Sequence, residues 1–274
     1  MDLVPLLHVR DTAVVTGPPD AWIPLARPWP GNAPDAIALA RHLFARFASV
    51  GIVDLGEGRT LDVHHAILQK LARQHVALWV DGFPETVEDI MDLFVDGAER
   101  VIARVDRIDG PELLDVLDLA DGEVWAAYAY KGAPALRALL AKAPPRGLLD
   151  AGAAGIVLID LVRAGTKGGF DRAALTLTAG LDAPVYVTGG IASPAEVDEL
   201  SAAGVAGAFV GTALLSAIEP FATWAEGHKQ TAAAKEQPEA EAHIDVPQRR
   251  GPVPGLLPTR PGAPRLSRGP EHDD

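Results

Sequence analysis

Two glycine-containing segments late in the chain have the residue types of a phosphate site. VTGGIASPAEV places Gly189 and Gly190 at the end of a short β-branched run, and GAFVGTALL places Gly211 and Thr212 at the end of the next. Glycine lets a backbone come close to a ligand because it has no Cβ, and backbone N–H groups at such turns bind anions. The spacing predicts two neighbouring strand ends that share one phosphate site. Tight turns without a ligand are the alternative.

Titratable side chains end several other apolar runs. His8 ends the first run, and imidazole can act as a general acid or base near neutral pH. Asp160 follows four apolar residues and is expected at a strand end, because an unpaired charge in mid-core is costly. Tyr128 and Lys131 end another run, where Lys131 is a proton donor, an anion contact or a solvated side chain. A hydrogen-bonded structural role is the alternative for His8.

The segment RAGTKGG, shortly after Asp160, combines glycines with cationic side chains. It contains Gly165 and Thr166, and Arg163 and Lys167 supply positive charge. We interpret it as a substrate lid above a strand end, although an ordinary long loop has the same composition.

Alternating strands and helices are predicted to position these groups. Helical spacing separates eight short apolar runs, which predicts parallel strands with right-handed crossovers. A closed (β/α)8 TIM barrel leaves no free sheet edge and is favoured over an open doubly wound sheet. The eight runs are LVPLLHV, GIVDL, VALWV, RVIAR, EVWAAYAY, GIVLIDL, PVYVTGG and GAFVGT.

The chain contains an internal repeat. Shifting it by 107 residues aligns DGFPETVEDIMDLFVDGAERVIAR with TGGIASPAEVDELSAAGVAGAFVG and pairs Gly82 with Gly189 without a gap. A shift of 106 aligns IVDLGEGRT with LIDLVRAGT and pairs Asp54 with Asp160. Although chance matching is the alternative, the pairings favour a barrel made of two duplicated half-barrels.

The first half lacks the glycines of the second. At the positions of two phosphate-site glycines it carries Phe83 and Arg104, so a bare backbone cannot hold a phosphate there. Arg104 either binds an anion through its guanidinium or pairs with a carboxylate such as Asp81 or Asp54.

Composition limits the classes of function. Of the 274 residues, 48% are hydrophobic and 22% charged, and the mean hydropathy of +0.13 indicates a globular protein with a sizeable core. The absence of cysteine excludes disulfides, thiolate metal sites and a cysteine nucleophile. A net charge of −13 disfavours nucleic acid and anionic membranes as partners, so a small anionic substrate would need a local positive site.

No targeting or membrane signal is expected. The N-terminus lacks the basic segment and long apolar run of a signal peptide, and no apolar stretch reaches the roughly 18 residues that span a bilayer. We therefore expect a cytoplasmic protein. His64 and His65 are adjacent on a predicted helix and point in different directions, so we expect no metal site, and no cofactor is expected.

The composition changes near residue 226. The last part of the chain carries eight of the 23 prolines and little aliphatic periodicity, which is typical of disorder. We expect a folded barrel over residues 1–225 and a disordered tail over 226–274. The arginines of this tail are either solvated or dock on an acidic partner.

Taken in order, VPLLHVRDTAVV, IVDLGEG, VDGFPETVEDI, IVLIDLVRAGTKGG, VTGGIASPAEV and GAFVGTALL resemble the histidine-biosynthesis barrels. That family includes the phosphoribosylformimino-aminoimidazole carboxamide ribotide isomerase and the cyclase subunit of imidazole glycerol phosphate synthase. The resemblance spans nearly all of residues 1–225 and is strongest in the second half. It implies duplicated half-barrels, phosphate binding at the glycine turns described above, and substrate contacts from the Asp160 strand end with Gly165 and Thr166.

The sequence departs from this family at two positions. The isomerases use one Asp at the end of the first strand and one at the end of the fifth for an Amadori rearrangement, whereas this chain has His8 and approximately Tyr128 there. We expect a divergent isomerase-type enzyme that acts on a phosphorylated small molecule, with His8 and Asp160 transferring protons across the barrel mouth. The alternatives are a non-catalytic barrel that binds a phosphorylated metabolite, an enzyme of tetrahydromethanopterin-linked coenzyme biosynthesis, and weak histidine-pathway activity. The oligomeric state does not follow from the sequence.

Overall fold

Ten strands and ten helices make up the part of the chain that the computed structural model describes, namely residues 1–10, 12–25, 35–55, 61–120 and 122–236. The strands are β1 (Asp2–Arg10), β2 (Ala13–Thr16), β3 (Ile23–Pro24), β4 (Val50–Asp54), β5 (Leu78–Asp81), β6 (Arg100–Arg104), β7 (Val124–Tyr130), β8 (Ile156–Asp160), β9 (Val185–Thr188) and β10 (Gly207–Val210). The helices are α1 (Ala36–Phe44), α2 (Leu61–Ala72), α3 (Val87–Val95), α4 (Gly110–Leu119), α5 (Ala133–Lys142), α6 (Pro145–Asp150), α7 (Arg172–Leu175), α8 (Pro194–Ala202), α9 (Thr212–Ser216) and α10 (Ile218–Glu236).

Eight of these strands form a closed parallel barrel. β1 and β4 to β10 pair in chain order, and β10 pairs with β1, where Asp2 lies opposite Gly207. Each predicted apolar run corresponds to one barrel strand, so the predicted (β/α)8 fold is confirmed. β2 and β3 were not predicted: they form an antiparallel extension of β1, in which His8 lies opposite Val15.

The barrel strands are buried on both faces. Alternate side chains point into the barrel, where four aromatic rings fill the interior with centroid separations of 4.7 to 5.6 Å: Trp79, Trp125, Tyr186 and Phe209. The other side chains pack against the surrounding helices. Burial on both faces explains why these strands are continuous apolar runs without polar alternation.

The predicted repeat is present in the secondary structure. Adding 107 to the bounds of β5 and α3 gives the bounds of β9 and α8, and adding 106 to those of β4 gives those of β8. The helix caps also match, because Thr86 and Ser193 each accept a hydrogen bond from the backbone N–H three residues later. These segments of the two half-barrels therefore share the same arrangement of strands, helices and helix caps.

The expected boundary at residue 225 lies within helix α10. Helix α10 continues through it to Glu236. The chain divides into two units, residues 1–234 and 235–274, and residues 237–274 of the expected tail lie outside the described residues. No helix in the described ranges combines the length and apolar character needed to cross a membrane.

Gly207 provides a test of interior packing. A Cβ added there would lie 2.1 Å from Cε1 of Tyr186, whose ring is held among the interior aromatic side chains. We expect Gly207→Ala to lower the free energy of unfolding by about 1–3 kcal/mol, since overpacked cores cannot relax freely. Urea denaturation measures this change.

Gly110→Ala is the matched control. Gly110 begins α4 and has no atom within 4 Å of an added Cβ. Its substitution should leave stability unchanged or raise it by up to about 1 kcal/mol. Equal effects of the two substitutions would contradict this description of the barrel interior.

Candidate active site

A cavity of about 550 Å³ opens at the carboxyl ends of the barrel strands. Its lining comes from strand ends, from the β2–β3 hairpin and from the loop after β8. Eight of the predicted site residues line it: His8, Arg104, Lys131, Gly165, Gly189, Gly190, Gly211 and Thr212. Most of the remaining lining is aliphatic or aromatic, which is typical of a small-molecule site.

The two glycine turns lie side by side at this cavity. β9 and β10 are neighbours, with Thr188 opposite Phe209, so the residues that follow each strand emerge at the same rim. Gly189 and Gly190 have φ values of 107° and 83°, a region that residues with a Cβ rarely occupy. The predicted juxtaposition of the two turns is therefore present.

The reason for glycine at these turns differs from the expected one. A Cβ on Gly189 would lie 2.3 Å from the carbonyl oxygen of Asp160, and one on Gly190 would lie 2.6 Å from that of Gly169. A Cβ on Gly211 would lie 3.2 Å from the carbonyl oxygen of Leu6. The glycines thus make room for neighbouring protein backbone, whereas the sequence interpretation reserved that space for a ligand.

Backbone N–H groups at the same rim lack protein acceptors. Within the described residues, the N–H groups of Gly190 and Ile191 have no hydrogen-bond partner, and both residues line the cavity. Thr212 and Ala213 begin α9, where N–H groups have no intrahelical acceptor. Such N–H groups can bind a phosphate group.

His8 projects into the cavity from the end of β1. Its ring centroid lies 4.5 Å from that of Trp22, and its Cε1 atom would be 3.5 Å from a Cβ on Gly211. Burial, and secondarily the positive charge of Arg104, lower the pKa of His8 to about 4. The imidazole is therefore neutral near pH 7, with the basicity of an ordinary aspartate but without its charge.

Arg104 forms a buried ion pair on the opposite side of the barrel. Its Nε and Nη2 atoms lie 3.0 and 2.7 Å from Oδ2 of Asp81, and Oδ1 of Asp81 accepts the N–H of Phe83 at 3.2 Å. The Phe83 ring lies 4.1 Å from the guanidinium carbon. Of the two sequence interpretations, the pairing with Asp81 is confirmed, so Arg104 is not a free anion site.

Asp160 does not face the cavity, which corrects the expectation that it exchanges protons with His8 across the mouth. In β8 it alternates with Ile159, which points into the barrel, so its side chain points out. Its Oδ1 atom accepts the backbone N–H groups of Val162 and Arg163 at 3.0 and 3.2 Å. Burial raises the pKa of Asp160, and those two N–H groups oppose the rise. Asp160 therefore shapes the turn after β8.

Tyr128 is also outside the cavity, contrary to the expectation of a catalytic role. It packs against the helices, and its hydroxyl donates to the carbonyl of Ala143 at 2.5 Å. Burial raises the pKa of its hydroxyl. Strand register places Ala129, not Tyr128, in the position that corresponds to His8, because Val9 pairs with Asp54 as Tyr130 pairs with Asp160.

Asp54 and Thr166 do not line the cavity either. Asp54 lies next to His65 and Asp96, between the barrel and α2. The Thr166 hydroxyl donates to the carbonyl of Arg163 at 2.7 Å and accepts the N–H of Gly168 at 3.1 Å. The expected contacts of Asp54 and Thr166 with a substrate are therefore not part of this cavity lining.

The loop after β8 is held at two points, Lys167 and Phe170. Lys167 donates from Nζ to Oγ of Ser216 at 2.7 Å, and Ser216 donates to the carbonyl of Thr212 at 2.6 Å. Glu196, near the start of α8, accepts the N–H of Phe170 at 2.5 Å. These bonds hold the predicted lid loop against the two glycine turns. Glu196 was not predicted, and only its position in the first turn of α8 could have indicated it.

The hairpin of β2 and β3 forms one side of the cavity, and this contribution was not predicted. Trp22, Pro18, Pro19 and Asp20 line the cavity from this hairpin. The sequence signal was GPPD between two apolar runs, which is a turn motif. Among the described residues, no three His, Cys, Asp or Glu side chains form a cluster that could hold a metal ion.

Residues 32–218 match the family described as "Histidine biosynthesis protein". Three similar proteins share the name 1-(5-phosphoribosyl)-5-((5-phosphoribosylamino)methylideneamino) imidazole-4-carboxamide isomerase. The protein from Picosynechococcus sp. is 33% identical over 200 residues, or 66% of this chain and 76% of the relative. That from Halobacterium salinarum is 33% identical over 152 residues, or 51% and 61%. That from Thermosynechococcus vestitus is 30% identical over 171 residues, or 58% and 65%, so the last two matches span less than two thirds of the relatives.

The low pKa of His8 predicts a pH dependence of stability. The folded value of about 4 lies below the unfolded value near 6.5, so between these pH values the unfolded chain binds more protons and stability falls as the pH falls. Between pH 7 and pH 5 we expect the wild type to lose about 1–2 kcal/mol more than His8→Gln. Urea denaturation at several pH values measures this difference, and parallel curves would contradict the assignment.

Proposed function

The chain belongs to the histidine biosynthesis protein family, and from this membership we propose that it is an isomerase acting on a phosphorylated aminosugar. One observation carries the proposal: Gly190, Thr212 and His8 line a single cavity. An anion site and a proton-accepting group thus face the same enclosed space. The relatives are named for isomerising a substrate with a phosphoribosylamino group, which is the class that we propose here.

The substrate phosphate is held by backbone N–H groups at the glycine turns. Those of Gly190, Ile191, Thr212 and Ala213 are the donors, and their positions are set by the packing of both turns against β8 and β1. Lys167, fastened to Ser216, lies in the same lining and supplies positive charge. This local charge allows an anion to bind a protein whose net charge is −13.

His8 is the proposed proton acceptor. In an aminosugar isomerisation, the nitrogen of the open-chain imine gains a proton as C2 loses one, which gives an enaminol. C1 then gains a proton as the C2 hydroxyl loses one and becomes a carbonyl, so substrate and product have the same atoms and no oxidant is needed. A neutral imidazole with a pKa of about 4 has the basicity of a carboxylate. Lys131, at the end of β7 across the cavity, is the proposed proton donor or anion contact.

A non-catalytic phosphometabolite-binding barrel is the second candidate. It is favoured by Ala129, which occupies the position that corresponds to His8 and carries no titratable group. A barrel with only one titratable group at these two paired positions can bind a phosphorylated ligand without transforming it. Binding without turnover would identify this candidate.

Proton transfer by His8 can be measured directly. The purified full chain is incubated in D₂O with the substrate named for the relatives and, separately, with a simpler N-substituted 5-phosphoribosylamine. NMR then follows product formation and deuterium incorporation. We expect turnover of at least one compound and a loss of about 10²–10⁴-fold in His8→Ala, which is the usual effect of removing a general base.

Tyr128→Phe is the matched control for this experiment. It removes a titratable hydroxyl that bonds to Ala143 outside the cavity, so its turnover should stay within about twofold of wild type. Full activity of His8→Ala would contradict the assignment of His8. Phosphate binding without turnover of either compound by the wild type would favour the binding barrel.

A further inference from the structure

The end of the cavity opposite the glycine turns has a different chemistry. β5 and β6 lie four strands away from β9 and β10 around the barrel, and Phe83 and Arg104 take the places of Gly190 and Gly211 there. Phe83 keeps the left-handed backbone of its glycine counterpart, with a φ of 52°. This backbone conformation is energetically costly for a residue as bulky as Phe83. It places the Phe83 ring in the cavity lining.

The ring and the ion pair lower the anion-binding capacity of this end. The Phe83 ring lies 4.1 Å from the Arg104 guanidinium carbon and 5.4 Å from that of Arg107. Two guanidinium N–H donors of Arg104 bond to Asp81, and the negative charge of Asp81 offsets the positive charge. A phosphate placed here would meet an aromatic face and a buried carboxylate, so its desolvation would be poorly compensated while the ring covers Arg104.

Other groups near this end are apolar. Val53 from β4, Leu55 after β4 and Ile102 from β6 belong to the same lining. Lys131 extends from β7, beside β6, but its side chain is exposed to water and its charge is therefore screened. Aromatic and aliphatic surface in a preformed cavity favours an uncharged ring or chain.

We propose that the site takes a monophosphate whose far end is an uncharged aromatic or apolar group, packed on Phe83. This proposal rests on the proposed phosphate site at the glycine turns. It separates the chain from relatives whose named substrate carries two phosphoribosyl groups. The backbone repeat is retained in both halves, but only one half holds a phosphate.

Calorimetric titration of the full chain with three probes tests this proposal. The probes are inorganic phosphate, 3-phenylpropyl phosphate and 1,6-hexanediol bisphosphate, a chain of similar length with a phosphate at each end. For the wild type we expect 3-phenylpropyl phosphate to bind at least about tenfold more tightly than either other probe. Tighter binding of the bisphosphate than of 3-phenylpropyl phosphate would overturn the proposal.

Phe83→Gly restores the glycine of the other half and uncovers Arg104. We expect this variant to lose the preference for 3-phenylpropyl phosphate by about tenfold and to gain affinity for the bisphosphate, while its affinity for inorganic phosphate stays unchanged. Phe83→Asn provides a second test if Phe83→Gly does not fold, because Asn tolerates the left-handed backbone, and it should weaken 3-phenylpropyl phosphate alone. Unchanged affinity for that probe in a folded Phe83→Gly or Phe83→Asn variant would overturn the proposal.

These outcomes separate this proposal from the proposed function. Absence of binding of all three probes to the wild type would remove the phosphate site and both proposals with it. Binding of inorganic phosphate without any preference for the aromatic probe would leave the phosphate site in place and overturn only the apolar-end proposal.

Discussion

Closure of the barrel by β10 and β1 is the constraint on which the site depends. Because all eight barrel strands run parallel, closure brings their carboxyl ends to one rim and seats the glycine turn after β10 next to His8. Residues more than 200 positions apart in the chain therefore share one cavity. Without the pairing of β10 with β1, Gly211 would not lie next to Leu6, and the cavity lining around His8 would be lost.

The two halves show how one backbone can carry two chemistries. The strands and helices of β5–α3 and β9–α8 coincide under a single shift, and both halves use a left-handed residue after the strand. In the second half that residue is Gly190, whose N–H group is open to the cavity. In the first half it is Phe83, whose ring covers a guanidinium already paired with a carboxylate. Side chains, rather than the fold, thus decide which end of the cavity accepts charge.

His8 lies where the family resemblance implies a carboxylate, and its lowered pKa gives it a similar basicity. Burial alone disfavours the imidazolium form, and Arg104 adds to this effect. The nearby carboxylate of Asp81 is committed to an ion pair with Arg104. The positive charge of Arg104 therefore acts at a distance on His8, although its donors are directed at Asp81.

The barrel, its duplication and the common rim of the glycine turns could be predicted from the sequence, because apolar runs, helical spacing and repeated motifs are local signals. Whether the side chains of Asp160 and Tyr128 point into or out of the barrel could not be predicted. A strand that is buried on both faces has no alternation of polar and apolar residues, and an error of one residue moves a side chain to the other face. The strand register shows that Ala129, rather than Tyr128, corresponds to His8 in the repeat. That register is defined by pairing between strands and cannot be read from one strand's sequence. The hairpin wall was missed because β2 and β3 are four and two residues long.

Amide chemical shifts recorded during a titration with inorganic phosphate test the central claim most directly. Phosphate held at the glycine turns should shift the backbone resonances of Gly190, Ile191, Thr212 and Ala213 together, and those of Phe83 and Arg104 should remain unchanged. Shifts centred on Phe83 and Arg104, or no shifts at the four rim amides at saturating phosphate, would contradict the account.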